Sequence, residues 1–460
     1  MILRKISWCM IICSCFMLLV FNRTEMKIDT EVGVSIEKKI MQVNKCEPRD
    51  YDSLPEKFQY KKDGKLPKVK SQGNIGTCWA FASLTALETS LLPDEKWDFS
   101  EDHLSKNHSF ALGQKEGGDY SMAMAYLAAW QGPVREKDDP YGDGKTDTSL
   151  KAVKHVQEMQ IVAEKDYDEI KYMVYHYGGV QSSLYTSLDG VNSASKYYNK
   201  ETAAYCYKGK KESNHDIVII GWDDNYSKKN FNGKVKKNGA FICRNSWGKE
   251  FGKNGNFYVS YEDVNIGVHN VVYTVVEDKK NYDNIYQSDL CGWVGSLGYE
   301  KIENKYVYFS NVYKAKKEEE LKAASFYATG ADTEFQMYIV HDFDEKESLK
   351  NRELVAEGIV HNSGYYTIAL EESVHLNKGE KYAIIIGIYT PDSTKPIAVE
   401  YQNDDITADV SIQDGEGYFS ADGIQWTSAE KNQKCNVCLK AFTNNIKKNI
   451  KEEKKEKEEK

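Results

Sequence analysis

The feature that most constrains this chain is a cysteine at the junction between a glycine-containing loop and an apolar helical run. Residues 71–77 form the loop, and Cys78 opens a run rich in Ala and Leu that extends to Glu88. At a helix N-terminus, free N–H groups and the helix dipole favour a thiolate over a thiol, and the thiolate is the nucleophilic form. The segment therefore predicts a reactive cysteine at the start of a buried helix. The amide of Gln72, on the same loop, can stabilise an oxyanion beside the Cys78 backbone N–H.

The order of helical and strand patterns predicts an α+β domain followed by an all-β domain. Between residues 54 and 276, apolar helical runs come first and β-branched strands such as 217–222 follow, which predicts two halves with a groove between them. The charged segment 277–280 marks the boundary. Beyond it, short strands alternate with turns, as in a sandwich or jelly roll, and only Lys316 to Lys322 favours a helix.

The 460 residues therefore divide into two domains and their flanking segments. The tail is almost entirely Lys and Glu, and we expect it to be disordered because it has little apolar surface to bury. The predicted parts are a signal peptide or anchor (1–25), a short lead or prosegment (26–53), the α+β domain (54–276), the all-β domain (281–445) and the charged tail (446–460).

The N-terminus indicates export. Arg4 and Lys5 precede an apolar run over residues 6–21, and a polar segment follows, which is typical of a secretory signal. The 16 apolar residues are few for a membrane-spanning helix, which needs roughly 20, but an uncleaved anchor stays an alternative. We therefore expect a secreted protein or one associated with the cell envelope.

Charge and cysteine usage narrow the function classes. The net charge of −9 combines 61 basic and 70 acidic residues, which argues against nucleic acid as a partner, and we expect a monomer. Ten cysteines occur and three lie in the apolar run, so the exported part has seven, an odd number that leaves at least one thiol unpaired. The signatures His-Glu-x-x-His and Gly-x-Ser-x-Gly are absent, and we expect no metal ion or cofactor in the active site.

Three segments occur in an order that resembles the active-site segments of papain-like cysteine proteases. Cys78 and His215 are 137 positions apart, which fits the family's spacing of roughly 130–150. The 30 positions from His215 to Asn245 exceed the usual gap, and the polar residues 225–238 account for the excess as a predicted loop insertion. The three segments are residues 72–82 (QGNIGTCWAFA), 214–222 (NHDIVIIGW) and 244–248 (RNSWG).

This resemblance implies a two-lobed fold, with a helical lobe and a β-barrel lobe, and a role for seven residues. Cys78 would form a thiolate–imidazolium pair with His215, which later protonates the leaving amine, and Asn245 would hold the imidazole in place. Ile75 stands where the family usually has a disulfide-bonded cysteine, so that disulfide is not expected here. The other implied roles are oxyanion stabilisation by Gln72, shielding of the His–Asn hydrogen bond by Trp247, and backbone binding of the substrate by Gly117 and Gly118.

The all-β domain resembles the lectin-like domain that follows the peptidase in a group of bacterial papain-like proteases. The resemblance rests on residues 282–287 (YDNIYQ), 296–299 (SLGY) and 437–442 (VCLKAF) and is less specific than the catalytic motifs. It implies a jelly-roll sandwich and a cell-wall or surface glycan as a partner, and it allows a structural calcium ion. The candidate calcium ligands are Asp404, Asp405, Asp414 and Glu416, although solvated acidic turns are the commoner outcome for such residues.

Together these features predict an exported cysteine endopeptidase that hydrolyses proteins or peptides through an acyl-enzyme on Cys78. Two alternatives stay open. The same Cys–His pair could serve a cell-surface transpeptidase, which passes the acyl group to an amine. The all-β domain could instead be the working part of an adhesin-like binding protein with a vestigial peptidase. The intact set of Gln72, Cys78, His215 and Asn245 favours the endopeptidase.

Overall fold

A computed structural model describes residues 49–60, 66–188, 190, 193–299, 305–403, 405–412 and 416–446. The predicted signal, the lead up to residue 48, the charged tail after Ile446 and the calcium candidates Asp404 and Asp414 lie outside the described residues. Among the helices of the described part, none combines the length and the apolar character that a bilayer crossing requires.

The first helix is the centre of the domain that spans residues 54–276. It is apolar on all sides, and Trp79 to Leu87 are buried around the whole circumference, as expected for a helix packed between two layers. Strands cover one side of it and two further helices cover the other. The helices are α1 (Cys78–Leu91), α2 (Glu101–Lys106), α3 (Tyr120–Ala128), α4 (Tyr167–His176) and, in the second domain, α5 (Ala429–Gln433).

Most strands of the first domain follow α1, α2 and α3 in the chain, while β1 precedes α1 and β2 precedes α4. Its strands lie side by side in the order β2-β9-β3-β6-β7-β8-β5-β4, and β1 is added to β6. Residues 225–238 connect β6 to β7 as a loop with one 3-10 turn, Lys228–Asn230, in the place of the predicted insertion. The strands are β1 (Lys57–Gln59), β2 (Lys154–Val162), β3 (Val180–Leu184), β4 (Tyr198–Asn199), β5 (Ala204–Tyr205), β6 (His215–Asp223), β7 (Ala240–Arg244), β8 (Asn256–Ser260) and β9 (Val268–Asp278).

The second domain is a sandwich of two largely antiparallel sheets. One sheet has the order β15-β14-β17-β12-β19-β20, and the other contains β10-β22-β13-β16 with β11, β18 and β21. Their inner faces meet in a core that includes Phe309, Phe326, Met337 and Ile386. The strands are β10 (Asn284–Tyr286), β11 (Gly295–Leu297), β12 (Val307–Lys314), β13 (Glu319–Ala328), β14 (Thr333–Val340), β15 (Glu353–Val360), β16 (Ser363–Leu376), β17 (Lys381–Tyr389), β18 (Ile397–Tyr401), β19 (Gly417–Ser420), β20 (Thr427–Ser428), β21 (Cys435–Val437) and β22 (Leu439–Asn445).

This architecture confirms the predicted fold class, but the helix expected at Lys316 to Lys322 is wrong. Strand β13 begins there, with Glu319 and Leu321 buried and the residues between and after them partly exposed. Lys and Glu favour a helix in isolation, but this alternation has the period of a strand. The buried Glu319 carboxylate accepts hydrogen bonds from the hydroxyl groups of Tyr286 at 2.8 Å and Thr443 at 2.6 Å, which offsets its burial.

A single sheet runs through both domains. Strand β16 of the second domain pairs antiparallel with β2 of the first, from Ser363 opposite Ile161 to Tyr366 opposite Glu158. Nearby, the Trp130 ring stacks on the His155 ring at 3.6 Å between centroids and contacts the second domain at Phe442, 5.4 Å away. The two domains are therefore joined by backbone hydrogen bonds as well as by side chains.

The last residues of the predicted lead are part of the folded body. Tyr51 donates a hydrogen bond to Glu169 Oε2 at 2.9 Å, and Arg49 forms an ion pair with Glu169 Oε1. Asn362 of the second domain donates to the same Oε1 atom at 2.8 Å. Glu169 is buried near the start of α4, so residues from the lead and from both domains meet at one carboxylate.

Candidate active site

Cys78 is the first residue of α1 and is partly exposed. Its sulfur accepts hydrogen bonds from the backbone N–H groups of Asp216 and Trp79. Asp216 follows His215 at the beginning of β6, so the thiol lies at the same end of that strand as the imidazole. The packing of α1 on β6 therefore brings together two side chains that are far apart in sequence.

The His215 ring is held by Asn245. Asn245 Oδ1 lies 2.8 Å from His215 Nε2 and also accepts the backbone N–H of Ser246 at 2.8 Å. The two residues lie at neighbouring positions because β6 pairs with β7, which ends just before Asn245. An amide oxygen can only accept, so Nε2 carries the proton and Nδ1 is left to exchange a proton with a thiol.

Trp247 covers the histidine from the side of β7. Its ring lies 4.9 Å from the His215 ring between centroids, with 35° between the planes. The Trp247 ring in turn contacts Phe251 edge to face, at 5.0 Å. This position beside the histidine is compatible with the shielding role that the resemblance implies, which stays a prediction.

Gln72 is tied to the segment that carries Asn245. Its backbone N–H donates to Ser246 O at 2.8 Å, and the Ser246 hydroxyl donates to Gln72 Oε1 at 2.6 Å. The Gln72 side-chain nitrogen donates one N–H to Ile75 O at 2.8 Å. The nitrogen carries two N–H groups, so its second one can point at an oxyanion beside Cys78.

The glycine pair lies against the nucleophile loop. A side chain on Gly118 would place its Cβ 2.5 Å from the Trp79 ring, and a Cβ on Gly76 would lie 3.6 Å from Gly117 Cα. Gly117 has a φ of +93°, which other residues rarely adopt. The two glycines therefore expose backbone next to Cys78, where an extended peptide could pair with it.

Burial has the largest effect on the pKa values of Cys78 and His215. It raises the pKa of Cys78 to about 12, with a further contribution from the charge of Asp216, and it lowers the pKa of His215 to about 4 despite the hydrogen bond to Asn245. Each charge alone is thus disfavoured. A proton transfer from Cys78 to His215 would instead create two opposite charges together, which offsets part of this cost.

Lys70 is a supporting residue that the sequence analysis did not identify. Its buried Nζ lies 3.0 Å from Glu88 Oε1 on α1, 2.8 Å from Glu101 Oε1 on α2 and 2.8 Å from Phe99 O. Burial works against this ammonium, but Glu88, Glu101 and Asp98 hold its pKa well above the usual value. The ammonium fixes the loop before Gln72 to two helices, and a single lysine in a polar loop carries no sequence signal for that role.

Two more supporting residues emerge from the structure. Ser246, which anchors Gln72, adjoins Asn245 in the matched segment and could have been identified from that position. Tyr141 donates to Gln72 O at 2.9 Å and lies 2.7 Å from Thr77 Oγ1, so it holds both ends of the nucleophile loop. Nothing in its sequence surroundings indicates this contact.

The described cysteines other than Cys78 are buried, and Cys46 lies outside the described residues. Within the described part, no group of three or more His, Cys, Asp or Glu side chains is arranged to hold a metal ion. The Cys435 and Cys438 thiols point to different carbonyl groups, of Ala429 and Gly292. The described cysteines, all of them free thiols, are Cys78, Cys206, Cys243, Cys291, Cys435 and Cys438.

Known proteins resemble both domains. The family description "Papain family cysteine protease" matches residues 54–276, and "Lectin like domain" matches residues 285–443. Cysteine proteinase 1 of Entamoeba histolytica is 26% identical over 226 residues, 46% of this chain and 66% of that protein. Cathepsin L 1 of Paramecium tetraurelia is 28% identical over 221 residues, 45% of this chain and 62% of that protein. The chain thus spans slightly less than two thirds of these relatives' length.

Two solved structures match across both domains. One comprises the cysteine protease and lectin-like domains of Cwp84, a surface layer associated protein of Clostridium difficile; it has a TM-score of 0.72 and 26% identity, and the match covers 85% of this chain and 91% of that one. The other is the clostridial cysteine protease Cwp84 after propeptide cleavage, with a TM-score of 0.71, 27% identity, and coverage of 83% and 97%. Residues 54–276 of this chain therefore belong to the papain family of cysteine proteases, and a lectin-like domain follows them.

Proposed function

We propose that this chain is a cysteine endopeptidase that hydrolyses peptide bonds in protein substrates. The observation that carries the proposal is the 2.8 Å contact between His215 Nε2 and Asn245 Oδ1, which leaves His215 Nδ1 for the thiol at the start of α1. A histidine in this tautomer can take a proton from a thiol and later give it to a leaving amine.

The proposed reaction assigns one or more of these residues to each step. The Cys78 sulfur attacks the carbonyl carbon of the scissile bond, and the thiol proton passes to His215. The Cys78 backbone N–H and the Gln72 amide stabilise the negative charge on the carbonyl oxygen. The C–N bond then breaks, His215 protonates the departing amine, and the acyl group stays on sulfur as a thioester. A water molecule then attacks the thioester carbon and gives a proton to His215. The C–S bond breaks, the acid leaves, and the proton returns from His215 to the Cys78 sulfur.

A thiol-directed epoxide inhibitor tests this proposal. We expect one adduct, on Cys78, by intact mass and peptide mapping, together with loss of casein cleavage. His215→Ala should abolish both the adduct and the cleavage. The matched control Cys206→Ala should retain both, because Cys206 is buried in a separate small cluster beside Phe231. A folded protein in which Cys78 stays unmodified and casein stays intact would contradict the proposal.

The same assay distinguishes hydrolysis from transpeptidation. With a short peptide substrate and an added amine acceptor, an endopeptidase releases mainly free acid, since water reacts with the thioester. A transpeptidase would instead release mainly the amide with the acceptor. Mass spectrometry of the products at increasing acceptor concentration measures the ratio, and predominance of the amide at low acceptor concentration would favour the transferase.

We also propose that the lectin-like domain binds a cell-wall or surface glycan on the outer face of its β15-β14-β17-β12-β19-β20 sheet. A Cβ on Gly387 would lie 2.7 Å from the Tyr308 ring and 3.5 Å from the Tyr306 ring, so both half-exposed rings lie close against the sheet at this glycine. Tyr306 donates to Glu334 Oε2 at 2.7 Å. Aromatic faces beside carboxylate acceptors suit the apolar faces and hydroxyl groups of a sugar ring.

Titration calorimetry with solubilised cell-wall polysaccharide tests glycan binding. We expect Tyr306→Ala to weaken binding about tenfold, since it removes a stacking face and the hydroxyl that engages Glu334. Tyr175→Ala, which changes an exposed tyrosine on α4, is the matched control and should bind normally. If the two variants bind the polysaccharide with equal affinity, the glycan either binds at another surface or does not bind to this protein.

We propose that the protein acts at the cell envelope. The basic start and apolar run of the N-terminus support export, and a solved relative is a surface layer associated protein. Fractionation of the native cells, followed by N-terminal sequencing of the recovered protein, tests the location. Recovery from the wall or medium with residues before about 26 removed indicates a cleaved signal, whereas an intact N-terminus in the membrane fraction indicates an anchor.

A further inference from the structure

The buried carboxylate of Asp216 belongs to a residue next to the candidate nucleophile, Cys78. Asp216 gives its backbone N–H to the Cys78 sulfur, while its carboxylate is buried beside strand β3. Ser183, which lies opposite Asp216 in the strand pair, donates its hydroxyl to Asp216 Oδ1 at 2.5 Å, and the Gln181 amide donates to Oδ2 at 3.1 Å. Both of these donors are neutral, so neither of them offsets a negative charge on Asp216.

A hydrogen-bonded path connects this carboxylate to the surface. The Ser183 hydroxyl, which contacts Asp216, is also 3.1 Å from Nδ1 of His269 on β9. His269 is exposed and stacks on the Tyr120 ring at 5.6 Å. A hydroxyl has one proton to donate, so Ser183 donates to one neighbour and accepts from the other. The path therefore has two arrangements, which differ in whether Asp216 or His269 holds the shared proton.

We propose that Asp216, Ser183 and His269 form a proton relay that sets the charge behind Cys78. In one state, Asp216 is protonated and donates to Ser183, which donates to neutral His269. In the other, the Asp216 proton has moved to Ser183 Oγ while the hydroxyl's own proton has moved to His269 Nδ1. Only O–H and N–H bonds change, and the products are a buried Asp216 carboxylate and an imidazolium at the surface. The inference rests on the proposed function, since it assigns Cys78 as the nucleophile.

The two states differ in their effect on the thiol. A negative Asp216 opposes a second negative charge on Cys78, and burial and this charge both raise the pKa of Cys78. A protonated Asp216 removes that repulsion and keeps the backbone N–H that stabilises the thiolate. Burial also raises the pKa of Asp216 itself, which favours the protonated state. The thiolate is therefore easier to form when the shared proton lies on Asp216.

Other charged and titratable groups face Asp216 as well. Asp119, before α3, works in the same direction as burial and favours protonation, while His269 favours ionisation. Asp216 in turn disfavours ionisation of two neighbouring tyrosines that burial already keeps neutral. The titratable groups around Asp216 are Cys78 on α1, Asp119 and Tyr120 at the start of α3, His215 on β6, and His269 and Tyr273 on β9.

The rate at which iodoacetamide alkylates Cys78, followed by intact mass from acid to alkaline pH, tests the relay in the full chain. Asp216→Asn mimics the protonated acid, because its amide can donate to Ser183 and accept from Gln181. We expect it to alkylate about threefold faster than the wild type near pH 8, and the difference should shrink toward acid pH as the wild-type carboxylate takes up a proton. Glu164→Gln removes an exposed carboxylate and is the charge-matched control, with an unchanged profile expected.

A surface variant separates the relay from a simple charge effect. His269→Gln can still hydrogen-bond to Ser183 but cannot hold the proton, so it should accelerate alkylation in the same direction. In the double variant Asp216→Asn/His269→Gln, the second change should add nothing, because the carboxylate it acts through is gone. If Asp216→Asn fails to fold, His269→Gln still carries the test, and a wild-type profile in that variant overturns the relay.

Failure of the relay and failure of the proposed function give different results. A wild type that alkylates at Cys78, with the same pH profile in Asp216→Asn, overturns the relay alone. Additive effects of the two substitutions also overturn it, because His269 would then act independently of Asp216. A wild-type Cys78 that never reacts in a folded protein overturns both proposals.

Discussion

The side chain of Asn245 accepts two hydrogen bonds with one oxygen atom, from the His215 ring and from the Ser246 backbone. The Ser246 contact fixes the direction of the amide, and the amide fixes the ring. Ser246 also holds Gln72 through its hydroxyl, so His215 and Gln72 share one support. Precision at this site therefore depends on neighbours that never touch a substrate.

Removing the Asn245 amide should slow catalysis more than it weakens substrate binding. Asn245→Ala leaves the His215 ring free to rotate away from the thiol, and we expect kcat to fall about 100-fold while KM changes by no more than about twofold. Steady-state kinetics on a fluorogenic peptide measures both. Asn225→Ala, in the loop between β6 and β7, is the matched control and should match the wild type. A loss confined to KM would assign Asn245 to substrate binding.

Lys70 should prove essential for stability. Lys70→Met leaves Glu88 and Glu101 buried without their shared cation, which costs about 3–5 kcal/mol in the free energy of unfolding. Urea denaturation measures this loss. Lys68→Met is the comparison, because the exposed Lys68 lies 3.7 Å from Asp98 and such surface pairs contribute about 0–1 kcal/mol. Similar losses for the two variants would contradict the structural role of Lys70.

The sequence predicted the candidate catalytic residues but not the residues that hold them in position. Cys78 was predicted from a helix-start pattern, whereas His215 and Asn245 were predicted because their segments resemble those of papain-like proteases. Lys70 and Tyr141 act through contacts with residues far along the chain. Such contacts depend on how the elements pack, and a single sequence does not encode that packing in any local pattern.

At the level of elements, local patterns identified the strands that are apolar on one or both faces, and failed at β13. There the charged residues Lys316, Lys317 and Lys322 suggested a helix, but pairing with β16 and β22 determines the structure. Strand formation depends on neighbours in a sheet more than on intrinsic preference. The buried Glu319 side chain finds hydrogen-bond donors because the sandwich brings Tyr286 and Thr443 to it.

Strand β18 carries the buried acid Glu400, which lies close to a buried ion pair. Glu400 accepts a hydrogen bond from Asn436 Nδ2 at 2.8 Å, and nearby Asp289 Oδ1 lies 2.8 Å from Lys440 Nζ. Burial, and next the charge of Asp289, raises the pKa of Glu400 to about 7. Two carboxyl groups thus lie at one buried site with a single ammonium group, which favours retention of a proton on one carboxyl.

Glu400 should make the protein less stable as the pH rises. An unfolded glutamate has a pKa of about 4.3, so between about pH 4.5 and 7 the folded state binds the extra proton. Stability is then greatest at the acidic end and falls through this window, by at most about 3 kcal/mol. Urea denaturation at several pH values should show a flatter dependence in Glu400→Gln. Glu353→Gln, at an exposed position on β15, should retain the wild-type slope, and equal slopes in all three proteins would contradict the prediction.

For the whole molecule, the lead and both domains depend on one another through Glu169. Its carboxylate accepts from Tyr51 and Asn362 and pairs with Arg49, so it is neutralised by a residue that precedes the papain-family segment. The sequence suggested that a folded domain begins at Leu54. It gave no sign of these contacts, because Arg49 and Tyr51 lie in a short polar stretch without a repeating pattern.

A chain that starts at Leu54 should be less stable than one that starts at residue 26. It loses the Arg49 pair and the Tyr51 hydrogen bond, which leaves a buried carboxylate with Asn362 as a partner and costs about 2–4 kcal/mol. Thermal denaturation compares the two forms. Glu169→Gln should recover part of the loss in the short chain but destabilise the long one. Equal melting temperatures for the two lengths would show that the lead contributes nothing to the fold.

The strand pair that joins the domains also has a protective consequence. If either domain were produced alone, β2 or β16 would become an edge strand with a row of free N–H and C=O groups along Ser363 to Tyr366 or the matching stretch of β2. Such an edge is a template for pairing with another chain, and it leads to domain swapping or aggregation. Each domain therefore covers the strand edge through which the other could self-associate. Separating the domains would expose both edges.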